Sequence, residues 1–350
     1  MELNFMPRSK LGEYEWDEKR QNWSKPAVDP ATLKELNRRS SAEGFLRVLV
    51  HAGLIVGAAI LTVIAARYHL LLGVAPFLLF CFLFGFLNGI EHEMRHRIVF
   101  ARNMTWISNI LYFIVHVLFR QGTRYQTISH RTHHRYTMVR DVDPETDFPD
   151  PPVTRWVKRT IWGLFLTVVS VGTWSFLKAM YTMVRRVAGR IEQLIANQSN
   201  EKDIRAIRIE SFAIFVINLA ILAVTIWLQR WDLLILLILG PQVGGAITAF
   251  WWMTEHIGMM YNTNDQRLAT RGVKVGPFVR FLYGGLDEHI EHHIYPAVPS
   301  RNLGKLRDAM GLPIPERIGV VACWREILAI AKRQEQEPDQ VLIPIDLEPA

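Results

Sequence analysis

The sequence predicts an all-α integral membrane protein, with four transmembrane helices in two hairpins, further interfacial or embedded helices, and a histidine-rich cap on the cytoplasmic face. Three observations lead there. Hydrophobic residues make up 50% of the chain and gather into runs long enough to cross a bilayer. The basic residues flank those runs, as cytoplasmic-side anchoring charges do. Nine of the twelve histidines fall in or beside four short motifs in the stretches between and after the runs.

Residues 1–45 hold mixed charge, Trp16, Trp23, Pro26 and Pro30, and read as a cytoplasmic N-terminal arm. A charged start without an apolar core after it is not expected to be a cleaved signal peptide. Residues 46–67 and 70–90 are apolar and separated only by Tyr68 and His69. At about 1.5 Å per residue each reaches across a core of about 30 Å, so together they form an antiparallel hairpin. Trp106–Phe119, with 14 residues, is too short to span and suits a half-inserted helix within 104–119. A basic, histidine-rich stretch, Arg120–Arg140, leads into the acidic loop Asp141–Pro152, read as a solvated turn or, alternatively, as a lid or head-group contact near the second histidine cluster. Ile161–Met180 is apolar again, and Ser211–Leu228 with Leu233–Met253 makes the second hairpin. The catalytic domain is expected over 46–310, with a cytoplasmic tail at 311–350.

Counting spans decides the topology. If 161–180 crossed, the histidines after it would face the opposite side from those before it. Arg185, Arg186, Arg190, Lys202, Arg205 and Arg208 then follow in a stretch that favours the cytoplasm. The expectation is therefore four crossings, with 104–119 and 161–180 embedded without crossing. The net charge of +7 is spread beside apolar runs and does not form a tract with stacking aromatics, which argues against nucleic acid. Two cysteines, Cys81 and Cys323, allow no disulfide framework and no Cys-x-x-Cys site.

The motifs are His92 and His96, spaced H-x3-H; His130, His133 and His134, spaced H-x2-H-H; His256; and His289, His292 and His293, again H-x2-H-H. At these spacings the imidazoles of each box share one helical face. Grouped neutral imidazoles bury little apolar surface, and protonating them together sets like charges side by side. A divalent metal resolves both problems. Eight or nine histidines are too many for one ion and suit two. His51, His69 and His116 stand alone in or beside apolar runs and read as hydrogen-bonded or interfacial side chains. His92-Glu93-x-x-His96 also matches the H-E-x-x-H zinc-peptidase signature, with Glu93 activating a water. That reading leaves both H-x2-H-H boxes unexplained. A histidine-rich metal transporter should carry ionisable residues within its spans, and these runs hold almost none.

Three boxes in this order, after paired hairpins, resemble those of the membrane fatty acid desaturase and hydroxylase family, over roughly Leu70 to Leu306. Asp143-Pro144-Glu145 after the second box and Glu291-His292-His293-Ile-Tyr-Pro296 at the third strengthen the likeness. Thr254-Glu255-His256-Ile-Gly258 is similar to the segment by which related alkane hydroxylases add a further ligand. The resemblance implies a non-haem centre of two Fe2+ ions, with O2 as co-substrate, held by His92, His96, His130, His133, His134, His256, His289, His292 and His293. It implies removal of hydrogen from a fatty acyl chain of a lipid. The third-box flank favours a double bond over a hydroxyl group as the product. The His-Pro-Gly-Gly haem motif of cytochrome b5 fusions is absent, so electrons are expected from a separate ferredoxin, rubredoxin or cytochrome b5 type protein. Glu91, Glu93, Glu255, Asp287 and Glu291 adjoin ligands in sequence. Since successive helical positions point apart, each is expected to serve a histidine of a different box. The basic stretch 183–210 reads as a topology and lipid-contact feature, or as a dock for an acidic ferredoxin or rubredoxin.

Overall fold

Helices α2 and α3 meet at a single extended residue, His69, and this connection sets the first hairpin. The computed structural model describes residues 4–11, 25–146 and 154–343, so Trp16, Trp23 and residues 147–152 of the acidic loop lie outside the described residues. The chain divides into two units. One is drawn from Met1–Arg39, His130–Ile161 and Phe250–Ala350, the other from Ser40–Ser129 and Trp162–Ala249. In chain order the helices are α1 (Pro30–Leu36), α2 (Ser41–Tyr68), α3 (Leu70–Gly85), α4 (Leu87–Arg95), α5 (Thr105–Phe119), α6 (Thr123–Arg135), α7 (Thr154–Val169), α8 (Thr173–Val187) and α9 (Gln193–Asn197). They continue as α10 (Glu201–Trp227), α11 (Trp231–Leu234), α12 (Gly240–Trp252), α13 (Gln266–Ala269), α14 (Pro277–Tyr283), α15 (His289–Ile294), α16 (Leu303–Met310) and α17 (Val320–Gln336).

The second unit is the membrane body. Among the described residues, four stretches are long and apolar enough to cross a bilayer, or five if the bent pair Val157–Val169 and Thr173–Val187 is one span: Pro30–Tyr68, Leu70–Arg95, Glu201–Trp227 and Trp231–Glu255. Their outward side chains are apolar yet exposed, Leu49 at 67% and Leu70 at 79%, an arrangement that only lipid makes favourable. The protein is thus an all-α integral membrane protein. The helices run past the apolar windows that mark them, because hydropathy sees only the lipid-facing part. Leu70–Arg95 continues five residues beyond the apolar run that ends at 90, and this extension carries His92, with His96 capping its end.

Close backbone approach joins the two hairpins. A Cβ on Gly85 would lie 2.3 Å from the Gly244 carbonyl oxygen, and one on Gly244 would lie 2.3 Å from that of Cys81. Small residues at such crossings let helices pack without a hydrophobic driving force. Gly244→Val should therefore lower the detergent-solubilised melting temperature, at a cost of about 1–3 kcal/mol, while Gly245→Val, where a Cβ meets open space, should not. Thermal unfolding followed by circular dichroism checks this.

The expected non-spanning stretch 161–180 is not one straight helix. α7 and α8 meet at 110°. The corner is made by Val171 and Gly172, both at positive φ, and a Cβ on Gly172 would sit 2.4 Å from the Leu239 carbonyl oxygen. α5, with 15 residues, is about 22 Å long, short of a span as expected. Behind it, buried Arg120 donates to the carbonyls of Leu118 (2.6 Å) and Leu237 (2.8 Å), the latter within a π-helical turn at Ile235–Leu239. That turn frees a carbonyl from the regular ladder, and the guanidinium satisfies it. The start of α6 is held by Glu210 of α10, which accepts from the Arg124 backbone N–H (2.7 Å) and the Thr123 hydroxyl (2.8 Å). A carboxylate there meets the unpaired N–H groups of a helix that carries the second histidine box.

The first unit is polar and contains short helices. Leu36 of α1 packs with Ile290, Ile294, Val298, Leu303, Leu306 and Met310, which ties the arm to α15 and α16. Among the described residues the strands are minor: Phe5–Pro7 runs antiparallel to Gln340–Leu342, and Val273–Lys274 runs parallel to Ile318–Gly319. The lone histidines do what their apolar settings require. His51 meets the Leu83 carbonyl at 2.8 Å, His116 meets Glu91 at 3.0 Å, and His69 accepts from Leu71 N–H at 3.2 Å.

Candidate metal centre

Within the first unit, three short elements deliver imidazoles to one place. α6 presents His130, His133 and His134, the six-residue α15 presents His289, His292 and His293, and a 3-10 turn at Met253–Glu255 ends at His256. Two sets result. His133, His256, His289 and His293 are all buried, and one nitrogen of each lies within 4.8 Å of the others. His130, His134 and His292 form the second set at the same mutual distances. In the membrane body, His92 of α4 and His96 at its C-terminal cap stand one helical turn apart, with ring centroids 4.9 Å apart.

Hydrogen bonding fixes the tautomers. His256 Nδ1 lies 3.0 Å from the Ala269 carbonyl oxygen, which can only accept, so Nδ1 carries the proton and Nε2 is a lone pair. His133 Nδ1 donates to Asp143 at 2.9 Å. The Thr137 hydroxyl spends its proton on the His133 carbonyl (2.8 Å), so it must accept from His293 Nδ1 at 3.1 Å. Three of the four rings therefore aim Nε2 lone pairs inward. His289 Nε2 is 3.1 Å from both His256 Nε2 and His293 Nε2. Without a cation, His289 Nε2 can donate to only one of these neighbours, whereas a metal ion among the rings would satisfy all of their lone pairs. In the second set, His130 Nδ1 faces Glu145 at 3.1 Å, and its Nε2 lies 3.0 Å from that of His134, which is 3.2 Å from that of His292. Burial drives the pKa values of His256 and His292 down to about 3 and that of His293 well below its ordinary value, so these rings are neutral ligands at physiological pH. The donor chemistry fits a borderline transition metal.

The loop read as a solvated turn folds inward at its first half. Asp143 is buried and accepts from His133, from Met138 N–H at 2.9 Å, from Glu145 N–H at 3.0 Å and from the Thr146 hydroxyl. Burial raises its pKa, but the interaction with His133 Nδ1–H and these other donors outweigh that and hold the carboxyl below its ordinary range. The Asp143-Pro144-Glu145 run was the sequence signal for this role, though nothing in composition separates an inward acid from a solvated one.

Four of the five acids adjoining ligands pair with arginines, and the fifth, Glu255, meets a histidine of another box. Asp287 accepts from Arg280 (2.7 Å) and Arg317 (2.5 Å), and Glu291 pairs with Arg307. Glu91 pairs with Arg95 (2.7 Å) as well as His116, and Glu93 with Arg47. Glu255 accepts from the Tyr283 hydroxyl, and its other oxygen lies 3.3 Å from His289 Nε2, which places this carboxylate at the four-histidine set. Arg271 fixes the turn before His256 by donating to the carbonyls of Thr254 (2.5 Å) and Ile257 (3.1 Å).

Comparison with known proteins agrees with this arrangement. The sequence model described as "Fatty acid desaturase" matches residues 68–320, more than half of the chain. An acyl-lipid (9-3)-desaturase of Physcomitrium patens is 32% identical over 85 residues, 23% of this chain and 16% of that protein. The Delta(5) fatty acid desaturase fat-4 of Caenorhabditis elegans is 35% identical over 69 residues, 18% of this chain and 15% of that protein. The matched stretches thus cover well under two thirds of these relatives' own lengths. With its long apolar helices and its converging histidine boxes inside the matched region, the chain belongs to the fatty acid desaturase family.

Proposed function

We propose that this protein introduces a double bond into a fatty acyl chain of a membrane lipid, using O2 and electrons from a separate carrier. The observation that carries the proposal is the buried set of four imidazoles, three with Nδ1 anchored and Nε2 turned inward, beside a second set of three. Overall, two hydrogens leave the chain, two electrons and two protons are supplied, and O2 leaves as two waters. Two Fe2+ ions, when bound, supply the oxidising power that an unactivated C–H bond requires. His133, His256, His289 and His293 would hold one ion. His130, His134 and His292 would help to hold the other.

The chain's own groups do the positioning. Asp143, Thr137, Glu145 and the Ala269 carbonyl keep the rings in the ligand tautomer and orientation. Glu255, held by Tyr283, sets a carboxyl group beside His289. Burial of the four-histidine set keeps bulk water away from an oxidant.

Metal analysis of protein purified with iron should find two irons per chain; one zinc would sink the proposal in favour of a peptidase. Mass spectrometry of lipids from an expressing host should find acyl chains lighter by two hydrogens, while chains heavier by one oxygen would mark a hydroxylase.

We also propose that the metal face lies on the cytoplasmic side, with α7 and α8 entering and leaving the membrane by the same face. A cysteine introduced at Arg190 should then react with a membrane-impermeant maleimide only in cells opened on the cytoplasmic side. Labelling from outside intact cells would overturn this topology.

A further inference from the structure

The membrane body contains a cleft that the histidine boxes do not reach. It has a volume of about 750 Å³ and opens between the end of α8, at Val187, and the first turns of α10. The α10 side is lined by Glu201, Arg205, Arg208, Ile209 and Phe212, among others. Along the helix this lining passes from acidic to basic to apolar. The step from Arg205 to Phe212 is about 10 Å at about 1.5 Å per residue, and the polar layer of a bilayer is about 6 Å deep on each side. Glu201–Trp227 is apolar enough to cross, so the arginines fall at head-group depth. Ile209 and Phe212, each 57% exposed, face acyl chains.

The arginines are placed to take a phosphate. Arg208 Nε donates to the Val187 carbonyl at 3.1 Å, one of the carbonyls that the end of α8 leaves without an intrahelical partner. That bond holds the guanidinium at the cleft and leaves its Nη donors uncommitted. Arg205, one turn away and exposed, makes no hydrogen bond or ion pair among the described residues. Two guanidinium groups so spaced suit the oxygens of a phosphodiester, which arginine binds through parallel N–H donors. Beyond them the rim accepts. Glu201 adds a carboxylate, and the Ser199 hydroxyl, which also lines the cleft, already spends its proton on the Ile195 carbonyl at 2.6 Å.

Apolar side chains, paired cations and then acceptors follow the order of groups in one kind of lipid: acyl chain, phosphodiester, ammonium. We infer that this cleft binds a phosphatidylethanolamine-class lipid, its acyl chain on Ile209 and Phe212, its phosphodiester between Arg205 and Arg208, and its ammonium at Glu201. A lipid held there braces the part of α10 that carries Asp203 and Glu210, the carboxylates that hold the start of α6 at Thr123 and Arg124. The site depends on the membrane fold and not on the proposed oxidation.

The test titrates dioleoyl phosphatidylethanolamine against the purified full-length protein in detergent and counts bound lipid by native mass spectrometry. R205Q/R208Q should raise the Kd at least about tenfold and lose the rise in thermal midpoint that the lipid gives the wild type. R185Q/R190Q, which removes exposed cations of the same basic stretch outside the cleft lining, should leave the Kd within about twofold. If R205Q/R208Q does not fold, R205Q alone should still raise it about threefold. The wild type should prefer phosphatidylethanolamine to phosphatidylcholine, whose ammonium has no N–H to donate, and E201Q should erase that preference. Unchanged binding in the Arg205 variants overturns the site. An equal loss in R185Q/R190Q overturns it too, since any basic surface would then serve. Displacement of the lipid by an equal concentration of inorganic phosphate would mark an ordinary anion site, and a preference that survives E201Q would overturn the head-group assignment.

Discussion

His289→Ala should abolish lipid desaturation and lower the iron content from two per chain to about one. His289 Nε2 stands 3.1 Å from both His256 and His293, so it is the central donor of the four-histidine set. Its loss leaves three imidazoles spread around a wider space and removes the group that faces Glu255. His130, His134 and His292 keep their mutual contacts, so one ion should remain. Iron per chain by plasma emission, with Mössbauer signals showing an isolated ion in place of a coupled pair, checks the split. Loss of both irons together would mean that the two sets do not bind independently.

Asp143→Asn should cost about 10–100-fold in activity or iron affinity, the usual range for a residue that orients a metal-bound histidine. The substituted amide keeps one acceptor oxygen but loses the charge that pairs with His133, and its NH2 would face a donor: Met138 N–H, Glu145 N–H or the Thr146 hydroxyl. Asp143→Ala goes further and leaves those donors unanswered in a buried site, at about 3–5 kcal/mol of stability. Asp143→Glu, which keeps the charge but moves it by a methylene, should recover part of the activity. Iron content, lipid products and thermal midpoints measured side by side separate the loss of ligand orientation from the loss of folding.

The residues that hold the ligands in place were the hardest to read in advance. Asp143 and Glu145 sit in an acidic, proline-bearing loop whose composition suggests solvent, yet Asp143 becomes the hub of four donors. Thr137 and the Ala269 carbonyl carry no sequence mark at all. Conversely, Asp287 and Glu291, next to histidines in sequence, are held by arginines 7, 30 and 16 positions away. Adjacency along a helix turns neighbouring side chains in different directions, so sequence proximity to a ligand is weak evidence of contact with it.

Hydropathy and spacing did determine the main plan. Apolar runs near 46–67, 70–90, 211–228 and 233–253 became long helices because no other structure satisfies the backbone in lipid. The H-x3-H and H-x2-H-H spacings dictated that each box would present its rings from one helical face, which is local geometry. Tertiary structure alone decided which histidine shares a set with which: His133 joins His256, His289 and His293, while His130 and His134, one turn along the same helix, go with His292. That sorting depends on the direction in which α6 and α15 meet and on the partner that holds each Nδ1. Such contacts lie between residues more than a hundred positions apart, and no periodicity within one segment can encode them.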